Sequence, residues 1–185
     1  AIIPKQDNLG GLAAIARKIE EQFDIKLNVI SGGNSSSIYL IWKEGLPEGI
    51  NNLRLGESFL LGNDTAYGET VPGCVHDTMT LEAQIIELKE KPSLPIGEVG
   101  VDAFGEKPYY EDRGMMKRAI IAVGKQDTDL GGMHPTDTQI EIMGGSSDHT
   151  ILDVTHADKG YKVGDVVAFT PEYGAMLKLA TSPYV

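Results

Sequence analysis

The sequence has 185 residues, enough for one compact domain or two small ones, and 41% of them are hydrophobic, which is ordinary for a soluble globular protein. No apolar run approaches the roughly 20 residues of a transmembrane helix, so we expect no membrane contact. The formal net charge of −11, without a cluster of Lys and Arg, argues against nucleic acid as a partner. Cys74 is the only cysteine, which excludes an intrachain disulfide and suits a cytoplasmic location.

The first part of the chain predicts helices alternating with short strands. Residues 8–23 carry apolar side chains at spacings of three and four, which indicates an amphipathic helix that Asp7 or Asn8 would cap. A β-rich run over residues 25–31 predicts a strand, and NSSSIYLIWKEG predicts a short helix after it. A second strand around residues 53–55 and a further short helix follow. This βα alternation is typical of a parallel sheet or an α/β barrel.

The pattern changes after about Gly68. Residues 79–89 alternate as a strand does, and four more short β-rich runs follow between Gly, Asp and Pro turns: RAIIAVG, IEIMGG, TILDVT and DVVAFT. We therefore place a boundary within residues 63–75 and divide the chain into an α/β part, residues 1–68, and a β-rich part, residues 69–185. Two βα units cannot cover both faces of a sheet, so we expect a fragment of a longer protein.

The GGNSSS segment, residues 32–37, is the strongest candidate for a binding site. Its glycines would let the backbone approach a ligand, and the amides of the next helix start, with the hydroxyls of Ser35 and Ser36, would bind a phosphate. The alternative is an ordinary glycine-rich turn in which Asn34 or Ser35 caps a helix.

Arg54, in the strand-like NLRLG segment, is the second candidate. It either points outward from its strand or, at the carboxyl end of a barrel strand, faces a catalytic mouth. The residues alone leave both possibilities open.

In the order GGNSSS, NNLRLGESFLLG and DTMTLEAQIIELKE, with GVDAF, YYEDRG, VGKQD and GSSDH, the chain resembles the alanine racemase family, and most of all its ornithine-racemase-like branch. The resemblance covers essentially the whole chain. It implies an α/β plus β architecture: the last βα units of a TIM-type barrel that binds pyridoxal 5'-phosphate (PLP), followed by a C-terminal β-domain. The family's cofactor lysine lies on the first barrel strand, and no lysine of this chain matches it.

The resemblance also implies the residues that bind the cofactor phosphate. Asn34 and Ser35 match the pair whose serine contacts the phosphate, and Gly56 and Glu57 match the pair whose backbone amides complete the site. Tyr184 is similar to a C-terminal tyrosine that also reaches the phosphate.

Arg54 matches the arginine that binds the pyridine nitrogen. A guanidinium does not give up its proton, so the ring nitrogen beside it stays unprotonated and the ring withdraws electrons less strongly. This favours racemisation over transamination, whereas a fold-related decarboxylase is expected to have an acid there. A PLP-dependent decarboxylase and a non-catalytic PLP- or phosphate-binding module remain the alternatives.

Racemisation needs a base on each face of the substrate Cα. The family's second base is a tyrosine in a GYADG-like turn, where this chain reads VGKQDTD, with Lys125 replacing the tyrosine and Asp127 keeping the acid. The family's other active-site turn in the β-domain corresponds to GGSSDH, which offers Ser147, Asp148 and His149. We predict Lys125, Asp127 and Asp148 as catalytic residues; the alternative is that Lys125 is a solvated turn residue and Asp148 a turn former.

The resemblance implies a homodimer that acts on a free amino acid, with ornithine or alanine as candidates, while the fragment alone would be inactive. The histidines show no ligand-like spacing, so we predict no metal site.

Overall fold

The computed structural model describes residues 2–101, 105 and 109–185. Residues 102–104 of the GVDAF motif therefore lie outside the described residues. The chain forms two compact units, Ala1–Met79 and Thr80–Val185. Within the described residues, no helix has both the length and the apolar character that crossing a membrane requires.

The first unit contains the two predicted strand–helix pairs. Its elements are α1 (Gln6–Phe23), β1 (Ser31–Asn34), a 3-10 turn (Ser35–Ser37), α2 (Leu40–Lys43), β2 (Asn52–Arg54) and α3 (Glu57–Leu61). β1 and β2 pair in parallel, with Ser31 opposite Asn52 and Asn34 opposite Arg54. Parallel pairing brings the carboxyl ends of both strands to the same edge.

The predicted amphipathic helix is confirmed as α1. Its buried residues Leu9 and Ala13 pack against Tyr39, Leu40 and Ile50. The helix begins slightly earlier than predicted.

Its N-terminus is stabilised from inside the helix. The side-chain oxygen of Asn8 accepts the Lys5 backbone N–H at 2.8 Å. The N-cap residue is therefore Lys5, and Asn8 in the first turn accepts the hydrogen bond from its backbone N–H.

The strand predicted over residues 25–31 is wrong, because β1 begins only at Ser31. Side chains occupy the backbone amides that a strand there would use. The Leu27 N–H donates to the Glu20 carboxylate at 2.8 Å, and the Ile30 N–H donates to the Asn51 side chain at 2.9 Å. The segment before β1 is therefore an irregular connection, held by hydrogen bonds to the side chains of Glu20 and Asn51.

The first compact unit extends beyond the sequence-based boundary at residue 68, because residues 69–79 fold back onto the end of α3. The Val71 N–H donates to the Gly62 carbonyl at 2.8 Å, and His76 Nδ1 lies 2.8 Å from the Leu61 carbonyl. Hydrophobic periodicity shows where the pattern of regular strands begins. The boundary between the compact units lies later, because residues 69–79 make their contacts with the first unit.

The second unit is built on a six-stranded antiparallel sheet, in agreement with the expected β-rich domain. The strand order is β5-β8-β3-β4-β7-β6. Its elements are β3 (Leu81–Pro92), β4 (Met115–Ile121), a 3-10 turn (Leu130–Gly132), β5 (Met133–Pro135), β6 (Glu141–Gly145), β7 (Thr150–Asp153), β8 (Val166–Pro171) and α4 (Tyr173–Leu179).

The core of the second unit lies on one face of this sheet. Leu81, Ala83 and Ile85 of β3 are buried while the residues between them are exposed, which is the period-two pattern of a half-buried strand. Ala175 and Leu179 of α4 belong to the same core. α4 was not predicted, since seven residues show too little of the helical period.

Candidate functional site

The turn after β1 depends on two glycines. A Cβ on Gly32 would lie 2.6 Å from Ile50 Cγ2. Gly33 has φ +118°, and a Cβ there would lie 2.7 Å from the Ser37 hydroxyl oxygen. That hydroxyl is buried and donates to the Gly32 carbonyl at 2.9 Å. Gly33 is therefore required by its backbone conformation and Gly32 by the close packing of Ile50, with or without a ligand.

Asn34 caps the 3-10 turn that follows. Its side-chain oxygen accepts the Ser36 N–H at 2.9 Å and the Ser36 hydroxyl at 2.8 Å. The capping interpretation of GGNSSS is therefore correct for Asn34. The Ser36 amide and hydroxyl therefore already have an acceptor, and the donors left for a ligand at this turn are those around Ser35.

Ser35 lies where hydrogen-bond donors converge. Its side chain is buried, and its oxygen receives the Gly56 N–H at 3.3 Å, the Ser58 N–H at 3.2 Å and the Ser58 hydroxyl at 3.1 Å. Two backbone amides and the Ser58 hydroxyl thus share one oxygen, and the three distances are at the long end for hydrogen bonds. The hydrogen of the Ser35 hydroxyl adds a fourth donor at the same point. Such a set of donors suits an anion.

Sequence reasoning missed Ser58, which contributes two of these donors. Of the amides proposed to complete the phosphate site, that of Gly56 points at Ser35. On α3 the Ser58 amide also points at Ser35, and Glu57 is half-buried one residue earlier. The LGES segment already contained Ser58, but only the pairing of β1 with β2 shows that it meets Ser35.

Arg54 is the last residue of β2 and its side chain is exposed. Its register partner is Asn34, so the two residues end neighbouring parallel strands at one edge. Among the residues that the structure describes, none forms a hydrogen bond or an ion pair with the Arg54 side chain. The guanidinium is therefore available at the edge where α/β folds commonly bind ligands.

In the second unit, the turn at residues 124–128 lies against the turn at residues 146–149. The Lys125 N–H donates to the Ser146 carbonyl at 2.9 Å. A Cβ on Gly124 would lie 2.4 Å from the Ser147 carbonyl oxygen, so only glycine permits this approach. The exposed side chains of Lys125 and Asp148 therefore lie on two turns that are fixed to each other.

Asp148 is held as a carboxylate. It accepts the Ser146 hydroxyl at 3.1 Å and the Ser147 hydroxyl at 3.2 Å, and His149 Nδ1 lies 3.1 Å away. The Ser146 hydroxyl, followed by the charge of His149, lowers the pKa of Asp148 below its ordinary value. The group is therefore a negative charge at neutral pH.

Asp127 has different surroundings from Lys125 and Asp148. Its side chain is only 4% exposed. One carboxylate oxygen accepts the Ser182 hydroxyl at 2.7 Å, and the other accepts the Gly124 N–H at 3.4 Å. Tyr184 is exposed, and its N–H donates to the Ser182 hydroxyl oxygen at 3.1 Å. Asp127 thus contacts the protein instead of solvent.

The predicted site residues therefore form two groups. Asn34, Ser35, Ser36, Arg54, Gly56 and Glu57 lie in the first unit, and Lys125, Asp127, Asp148 and Tyr184 lie in the second. No three His, Cys, Asp or Glu side chains come together as metal ligands in the described part of the chain.

No protein-family model matches the chain. Ornithine racemase from Acetoanaerobium sticklandii is 59% identical over 185 residues, which is 100% of this chain and 52% of that protein. The resemblance to ornithine racemase is confirmed. Lysine racemase from Thermotoga maritima is 43% identical over the same length, again with 52% of that protein covered. The chain spans about half the length of these curated racemases.

Solved structures agree on the fold. Alanine racemase from Bartonella henselae, with covalently bound pyridoxal phosphate, matches 97% of this chain and 47% of its own, with a TM-score of 0.59 and 21% identity. Alanine racemase from Clostridium difficile in complex with cycloserine matches 98% of this chain and 49% of its own, with a TM-score of 0.56 and 19% identity. At this identity the likeness shows an alanine-racemase-like fold, to which the antiparallel sheet of the second unit corresponds as the β-domain.

Proposed function

We propose that the protein containing this chain is a PLP-dependent amino-acid racemase that interconverts the L and D forms of ornithine or a related amino acid. The observation that carries the proposal is the 59% identity to ornithine racemase along every residue of the chain. In this proposal the first unit supplies the last βα units of a TIM-type barrel, and the active protein is a homodimer.

The donors around Ser35 fit the phosphate of PLP. Four hydrogens converge there, from the hydroxyls of Ser35 and Ser58 and from the amides of Gly56 and Ser58. A phosphate offers three acceptor oxygens in place of the two lone pairs of one hydroxyl, so it would satisfy these donors better. Asn34 would stabilise the turn that carries Ser35, because it accepts the Ser36 amide and hydroxyl.

Arg54 would hold the pyridine nitrogen of the cofactor. Its guanidinium keeps its proton, so it donates a hydrogen bond to that nitrogen without protonating it. When bound, PLP supplies electron withdrawal that makes the substrate Cα–H more acidic. With Arg54 at the ring nitrogen this withdrawal is moderate, which suits removing and returning one proton at Cα.

Lys125 is our candidate for the group that exchanges a proton on the second face of Cα. Its backbone is fixed by the Ser146 carbonyl, and its side chain is exposed. The neighbouring Asp148 carboxylate would attract a cationic side chain such as that of ornithine. The negative charge of Asp148 supports a preference for a basic amino acid over alanine.

The experiment is a racemisation assay with the PLP-loaded full-length protein. L-ornithine and D-ornithine are supplied separately, and both enantiomers are followed by chiral chromatography. We expect both reactions to approach equal amounts of the two enantiomers. Release of CO2 with formation of a diamine would instead identify a decarboxylase, and PLP binding without any change in substrate would identify a non-catalytic binding module. Parallel reactions with lysine and alanine rank the substrates.

A further inference from the structure

We propose that Asp127 is a positioning residue that ties the C-terminal segment, residues 181–185, to the turn that carries Lys125. Asp127 would act on the reaction only through Lys125, a role that rests on the proposed racemase function. The structural tie itself does not depend on that function.

The tie runs through three hydrogen bonds. The Tyr184 N–H donates to the Ser182 hydroxyl oxygen at 3.1 Å, and the Ser182 hydroxyl donates to Asp127 at 2.7 Å. The second oxygen of Asp127 accepts the Gly124 N–H at 3.4 Å. Ser182 and Asp127 are 55 residues apart in sequence, so one carboxylate joins the end of the chain to a distant turn.

Burial makes this connection stiff. With 4% of its surface exposed, Asp127 is almost entirely withdrawn from water. A buried carboxylate is costly unless donors surround it, so loss of the Ser182 hydroxyl would force the carboxylate to move towards other donors or solvent. Either movement displaces the turn that contains Asp127. The same burial is the reason that we propose a positioning role for Asp127 in place of direct contact with the reacting atoms.

The turn transmits this displacement to Lys125. The Asp127 and Thr128 amides both donate to the Gly124 carbonyl, at 3.0 Å each, so residues 124–128 form a closed turn. Lys125 lies inside it. A change at Ser182 therefore reaches Lys125 without any direct contact between them.

The first test is hydrogen–deuterium exchange of the cofactor-free full-length protein, resolved at single amides. In Ser182→Ala we expect faster exchange at Gly124, and in Asp127→Asn faster exchange at Tyr184. Neither amide contacts the mutated side chain, so each effect must pass through the tie. We expect changes of about tenfold, the order for losing one hydrogen bond to a charged group. Changes confined to the mutated segment would overturn the proposal.

Three variants control this test. Thr181→Ala removes a hydroxyl that donates only to carbonyls of α4, Leu177 and Lys178, and should leave Gly124 unchanged. Asp129→Asn changes an exposed neighbouring acid and should leave Tyr184 unchanged. Ser182→Thr keeps the hydroxyl and should restore the exchange rates, even if Asp127→Asn disturbs folding.

The second test uses the PLP-loaded full-length protein with Cα-deuterated D- and L-ornithine. If the tie positions Lys125, Ser182→Ala should raise the deuterium isotope effect for the one enantiomer whose proton Lys125 removes, and Ser182→Thr should not. An equal rise for both enantiomers, or none, would overturn the proposed action through Lys125. Wild-type protein without racemisation would refute the proposed function, while the exchange experiment would still decide whether the tie exists.

Discussion

Asn34 and Arg54 are register partners at the carboxyl ends of two parallel strands. The two residues are 20 positions apart in sequence, yet they lie side by side at one edge of the strand pair. This relationship joins the donors around Ser35 and the exposed guanidinium of Arg54 into one candidate site. The predictions for the first unit depend on it.

Ser35→Ala should weaken PLP binding in the full-length protein by about 1.5–3 kcal/mol, because it removes a hydrogen bond to a charged phosphate. A fluorescence titration with PLP measures the change. Pyridoxal, which lacks the phosphate, should bind the variant and the wild type alike. Ser31→Ala is the matched control, since the Ser31 hydroxyl is buried on β1, just before the turn that carries Ser35, without a described partner. Equal losses for PLP and pyridoxal would contradict a phosphate contact.

Gly33→Ala should destabilise the protein by about 1–3 kcal/mol, because alanine strains the backbone at φ +118° and its Cβ would approach the Ser37 hydroxyl. Urea unfolding measures the free energy of unfolding. Gly11→Ala is the control with the opposite sign. It lies in α1 with no atom within 4 Å of its Cβ, so we expect stabilisation of up to about 1 kcal/mol. A neutral Gly33→Ala would mean that the turn relaxes easily.

Arg54→Glu should slow racemisation and increase the fraction of keto acid formed by transamination. A carboxylate beside the ring nitrogen stabilises the protonated ring and strengthens its electron withdrawal. Product analysis by chromatography gives the keto acid fraction. Arg17→Glu, an exposed charge reversal on α1, should behave as wild type. If Arg54→Glu leaves rate and products unchanged, Arg54 does not contact the cofactor.

Ser146→Ala should raise the pKa of Asp148. The Ser146 hydroxyl stabilises the charged carboxylate and is the largest cause of its lowered pKa, so removing it favours the protonated acid. The acidic limb of ornithine kcat/KM should then move to higher pH, because the negative charge is lost earlier as pH falls. An NMR titration of the Asp148 side chain reports the pKa directly. Ser147→Ala, which removes a smaller contribution, should give a smaller shift in the same direction.

Local patterns predicted the regular elements well. The alternation of Leu81, Ala83 and Ile85 predicts β3 because the buried face of a strand repeats every second residue. The run over residues 25–31 had the same β-rich composition but did not form a strand. The Glu20 and Asn51 side chains occupy its amides, and neither interaction is visible in a window of neighbouring residues.

The candidate site was predictable only in part. Ser35 and Gly56 could be named from the motifs that resemble a family, and the structure brings them together. Ser58 could not, because its role depends on the register of β1 and β2. Asp127 is buried and accepts a hydrogen bond from Ser182, far along the chain, a contact that no local motif reveals.

The fold-back of residues 69–79 determines where the two units could be separated for independent expression. A cut after residue 68 would remove the Val71 N–H, which donates to the Gly62 carbonyl. It would also expose the Leu61 carbonyl, which is in contact with His76. The second unit would then carry residues 69–79 as an N-terminal tail without their hydrogen bonds to Leu61 and Gly62. A cut after Met79 keeps those contacts with the first unit and starts the second unit immediately before β3.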